Sequence, residues 1–116
     1  MPNDNGRVEA VINHCITIEE AMKRFGNRFE DFKKDRHYQA SCSFCIDQIG
    51  ENIKNIPADL TKKYKEIDWK GLKGMRDIIS HGYHSIDLEE MWTTITEEIP
   101  PLKDACVKIL KDLNDL

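Results

Sequence analysis

Apolar residues recur every three or four positions through most of the chain and nowhere alternate over a useful length, a pattern of packed helices rather than strands. Val8, Val11, Ile12, Cys15 and Met22 fall on one stripe and predict a first helix to about Phe25, stopped by Gly26 and Asn27. Phe29 and Phe32 predict one or two helical turns that cross over. Asp35 can cap the next helix, whose stripe reads Tyr38, Cys42, Cys45, Ile49, Ile53 and Ile56 and which Pro57 ends. Leu60 and Tyr64, four apart, predict a further turn before Asp68 caps another helix. Leu72, Met75 and Ile79 form that helix's buried face, with Ile78 beside them, and Gly82, which tolerates positive φ, closes it after His81. Asp87 and Glu90 resemble a capping box for a helix running to about Ile99, with Leu88, Met91, Trp92 and Ile95 inward. Pro100 and Pro101 are expected to break or kink the chain before a last helix carrying Leu102, Cys106, Ile109, Leu110 and Leu113. The expected architecture is all-α: one domain over residues 1–116, an antiparallel helical bundle of four to five principal helices.

Composition narrows the class. The 116 residues suffice for one core without metals or disulfides, and no apolar run approaches the roughly eighteen residues of a membrane span. The opening MPNDNGRVEA lacks the basic and apolar regions of a secretory signal, so a cytoplasmic protein is expected. Cys15, Cys42, Cys45 and Cys106 then read as reduced, buried thiols. Cys42 and Cys45 form a CxxC, but it has no second pair and sits inside a helical pattern, which makes it a poor zinc or redox site.

Charge changes the picture more by its distribution than by its sum. The formal net charge is −4, yet from Lys54 to Arg76 seven basic residues face three acidic ones, whereas from Asp87 to Leu116 three basic residues face eight acidic ones. The basic segment, with Lys70 and Lys73 near its end, leads directly into Arg76. Such a run is often only a solvated face, but beside a phosphate-binding candidate it points to nucleic acid.

That candidate is the stretch WKGLKGMRDIISHGY, where Arg76, Asp77, Ser80, His81 and Tyr83 crowd the end of an apolar helix. Arginine offers a planar, permanently charged fork to phosphate, and histidine titrates near neutrality. On an ideal helix Arg76 and His81 lie about 140° apart, so a bend at Gly82 or a second copy must bring them to one substrate. Asp77 is four residues from His81, close enough to orient its imidazole. Each residue also has a simpler use: Arg76 in a surface ion pair, His81 at a helix C-terminus, Tyr83 half-buried with its hydroxyl at the rim.

The order Arg76, four residues, His81, one residue, Tyr83 resembles the RxxxxHxY signature of the HepT toxins, a branch of the HEPN superfamily of helical ribonucleases. IDQIGENIK, IDWKGLKGMRDIISHGYHSID and MWTTITEEIPPL are similar to the same family, so the resemblance extends from about Arg7 to Leu113. It implies a HEPN-like homodimer with the two RxxxxH motifs in a shared cleft, cutting RNA without a metal or other cofactor. Arg76 and His81 would be catalytic, Asp77 supporting, and Lys70 and Lys73 would bind substrate. It further implies a partner, an MntA-type minimal nucleotidyltransferase antitoxin that transfers AMP from ATP onto Tyr83 and so inactivates the toxin. The sequence departs from the family in Asp77, where asparagine is common; its carboxylate could face the phosphate or His81. A different class of function, a catalytically inactive helical module that binds nucleotide or docks a nucleotidyltransferase, fits the same residues.

Overall fold

Asn3 caps the first helix, α1 (Asp4–Phe25), by accepting the Gly6 N–H at 2.8 Å. The structure is a computed structural model and describes residues 3–81 and 87–115, with Ser80 and His81 described by their backbone. Gly26 ends α1 where expected: its φ of 120° lies in a region that L side chains avoid, and a Cβ there would collide with the Asp31 side chain. A short helix, α2 (Phe29–Lys33), crosses over, and Asp35 caps α3 (Arg36–Lys54) by accepting the amides of His37 and Tyr38.

Two bonds fix α1 and α3 as an antiparallel pair. At one end the Tyr38 hydroxyl donates to Gly26 O at 2.9 Å; at the other Arg7 Nη1 donates to Asn55 O at 3.2 Å. Tyr38 is fully buried among Phe25, Phe32 and Trp92, with the Phe32 ring edge-on at 5.0 Å. Ile18 and Ala21 join the buried stripe of α1, while Ile12 and Met22 reach it only in part.

After a single turn, α4 (Ala58–Thr61), Asp68 caps α5 (Trp69–His81) through the Gly71 amide at 2.9 Å. Leu72 and Met75 are buried and Ile79 packs partly against the core. Ile78 does not: it is exposed, because α5 packs chiefly on α3 and the flank carrying Gly71, Gly74 and Ile78 turns away from that contact. The expected closure of α5 at Gly82 falls outside the described residues.

The prolines do not break the helix; they follow a π-helical turn. Residues 88–114 are helical throughout: α6 (Leu88–Thr93), a π-helical turn (Thr94–Glu98) and α7 (Ile99–Asn114) follow without a gap. Asp87 caps α6 through the Glu89 amide at 2.8 Å. Pro100 and Pro101 sit in the first turn of α7, and Ile99 N–H reaches back five residues to Thr94 O. The wider turn accommodates the missing amides and the proline rings, which an α register would press against the preceding carbonyls. α7 lies antiparallel on α1, tied by Lys103 Nζ to Glu19 at 3.0 Å. The result is the expected all-α bundle, with no strand among the described residues and one buried apolar cluster joining the long helices. No helix among them is long and apolar enough to cross a membrane.

Candidate active site

α5 presents its chemistry on the side turned toward α3 and on the face next to it. Lys70, Lys73 and Asp77 follow one another at helical spacing and are all exposed, so the two lysines line the outer face of α5 up to the arginine. Arg76 lies beside that stripe, half-buried, with its aliphatic stem across α3 at Gly50. A Cβ at Gly50 would stand 2.9 Å from Arg76 Cγ and 3.3 Å from Leu72 O, and closer still to Arg76 Cβ. Only glycine lets the two helices meet this closely.

The guanidinium is surrounded by carboxylates. Nη2 is 2.9 Å from Glu51 Oε2, Nε is 3.7 Å from Asp47 Oδ1, and Nη1 donates to Asp77 Oδ1 at 3.3 Å. The Glu51 contact is short but off the hydrogen-bond line, so Glu51 Oε2 and Arg76 Nε are both buried without a hydrogen bond. Charge rather than directed bonding holds this pair. Asp77 therefore turns its carboxylate back onto Arg76. The imidazole of His81 and the whole of Tyr83 fall outside the described residues, as does the bend expected at Gly82.

Asp47, Gly50 and Glu51 lie within IDQIGENIK but outside the residues that the RxxxxHxY pattern singles out. A glycine inside an otherwise regular helical pattern was the available signal, since it marks a close approach of backbone or side chain. The α3 stripe that carries Asp47 and Glu51 begins one turn earlier at Phe44, which is 60% exposed and meets His14 of α1 edge-on at 5.9 Å. An open groove of 540 Å³ near the end of α1, lined by Thr17, Glu20, Lys23, Arg24 and Ser41 among others, contains none of the candidate residues.

The CxxC is occupied by packing. All four cysteines are buried and unbridged, and burial pushes the thiols of Cys42 and Cys45 up to about 12 and about 11, which disfavours the thiolate a metal would need. Among the described residues no group of three or more His, Cys, Asp or Glu side chains is placed to hold a metal ion.

Comparison with known proteins identifies the family. Residues 12–109 match a family described as ribonuclease HepT-like. The chain is 34% identical over 104 residues to a provisionally named RNase of Caldanaerobacter subterraneus subsp. tengcongensis, covering 90% of this chain and 91% of that one. It is 38% identical over 87 residues to another of Methanocaldococcus jannaschii, covering 75% of each. A protein of Thermococcus cleftensis, provisionally named ribonuclease HepT, is 39% identical over 83 residues, covering 72% of this chain and 76% of that one. No solved structure matches the chain significantly.

Proposed function

The chain belongs to the HepT-like ribonuclease family, and on that premise we propose that it is the toxin of a toxin–antitoxin pair, an endoribonuclease in which Arg76 and His81 act on RNA without a metal. The observation that carries this reading is Arg76 itself. It is half-buried at the α3–α5 contact, five residues before the histidine that ends α5, on a helix whose outer face carries Lys70 and Lys73. His81 serves as general base on the ribose 2′-hydroxyl, or as acid at the leaving 5′-oxygen, while Arg76 offsets charge on the phosphorane. The nucleophile is internal to RNA, so the products are a 2′,3′-cyclic phosphate and a 5′-hydroxyl, and DNA is inert.

A homodimer completes the site in this reading, because one helix cannot aim Arg76 and His81 at a single phosphate. The exposed ring of Phe44, on the α3 stripe that carries Asp47 and Glu51, offers an apolar contact for the second copy. Regulation falls to Tyr83. AMP transferred from ATP by an MntA-type nucleotidyltransferase would put a bulky anion where the substrate phosphate binds.

Incubation of the purified protein with RNA in the presence of EDTA tests the mechanism. Cleavage should persist with the chelator and be lost in His81→Ala and Arg76→Ala. Unchanged cleavage by His81→Ala would remove that residue from the mechanism, and no cleavage by the wild type would favour a docking or nucleotide-binding module. Incubation with a nucleotidyltransferase partner and ATP should add the mass of one AMP at Tyr83; labelling that survives Tyr83→Phe would refute the assignment.

A further inference from the structure

We propose that Glu51, assisted by Asp47, is a positioning residue: from α3 it sets the direction in which Arg76 presents its guanidinium, across a gap that only Gly50 can leave open. This rests on the reading of Arg76 as the phosphate-binding arginine. Three observations converge on it.

The first is steric. Arg76 packs its stem over Gly50 so tightly that any side chain at that position would displace Cβ and Cγ. The start of the side chain is therefore fixed by backbone-to-backbone approach. The second is electrostatic. Asp47 and Glu51 are four residues apart, one on each side of Gly50 in sequence, and they stand 3.7 Å from Nε and 2.9 Å from Nη2. The inner edge of the guanidinium thus faces α3. Its remaining contact, Nη1 with Asp77 at 3.3 Å, is on a side chain 66% exposed, so this is the edge open to an incoming phosphate once Asp77 swings away. The third is energetic. Ion pairs between partly exposed side chains such as these add little to stability even where single atoms are shielded, because water reaches the rest of each group and two long side chains must be held still. Their physical consequence is orientation, and at a phosphoryl-transfer site a misplacement of about 1 Å can cost on the order of 100-fold in rate.

Nη1 and Nη2 thereby acquire different tasks. Nη2 is held toward α3 by charge, and Nη1, whose hydrogen bond goes to the exposed carboxylate of Asp77, is left to exchange one anion for another.

Glu51→Gln tests this with the shape of the side chain retained. Two readouts are needed, one of them independent of cleavage. In 15N spectra of the arginine side chains, the Arg76 Nη signals should be resolved in the wild type through slow rotation of a guanidinium held between carboxylates, and should merge in Glu51→Gln. In cleavage assays kcat should fall about 100-fold while KM changes less than about twofold, with Glu51→Asp recovering part of the loss; Gly50→Ala should imitate Glu51→Gln where it folds. Unchanged Nη signals together with unchanged kcat would overturn the proposal, as would faster cleavage by Glu51→Gln, which would make Glu51 a competitor of the phosphate. If the wild type cleaves no RNA but its Nη signals still collapse in Glu51→Gln, the ribonuclease mechanism fails and the positioning role stands.

Discussion

His14 meets the edge of the Phe44 ring, and burial there pulls its pKa below the usual 6.5. The unfolded chain then binds a proton at this residue more readily than the folded one. Stability is accordingly undiminished above about pH 6.5 and falls as the pH drops through that value toward the folded pKa. The urea midpoint of the wild type should decline more between pH 7.5 and pH 5.5 than that of His14→Gln; equal declines would show that His14 contributes nothing. The thiols make a second case. Burial raises all four cysteines, Cys106 to about 12, and leaves almost no thiolate at pH 8. A thiol-reactive chromogen should therefore titrate no cysteine rapidly in the native protein and all four in guanidinium, and fast reaction of Cys42 or Cys45 with the native protein would contradict their packing. These thiols were legible in the sequence from their place on helical stripes. The carboxylates around Arg76 were not: Asp47 and Glu51 are twenty-five or more positions away, and only the approach of α3 to α5 makes them neighbours.

Among the elements, the α1–α3 pair is the most firmly written in local signals. Gly26 and Asp35 mark its turn, and the Tyr38 hydroxyl closes it. Gly26→Ala meets both a strained φ and the Asp31 side chain, and should cost about 1–3 kcal/mol, read as a lower urea midpoint with an unchanged slope. A midpoint within error of wild type would mean that the turn relaxes freely. Helix runs on at Pro100 for a physical reason: a proline pair excludes an α register with a full set of amide bonds, but not a π turn that shifts the bonding by one residue. The exposure of Ile78 was hidden differently, since helical spacing orders residues around an axis without saying how many neighbours the helix has.

For the molecule as a whole, charge is divided by element. The exposed lysines of α5 lead to Arg76, while the segment from Asp87 onward is acidic. If two copies join through the face that carries Phe44 and Arg76, Phe44→Lys should shift the mass measured by light scattering from dimer to monomer and abolish RNA cleavage together. A variant that is monomeric yet fully active would refute the shared cleft. The contact between α1 and α7 has a temporal consequence. Glu19 and Lys103 are 84 residues apart, so at about 5–20 residues per second the first long helix waits roughly 4–17 s for the helix that covers its far side. Chains stalled on the ribosome at Glu98 should thus be cut by protease within α1, and released chains should resist it. A nuclease so arranged leaves its first long helix incompletely covered until residues far along the chain have been made.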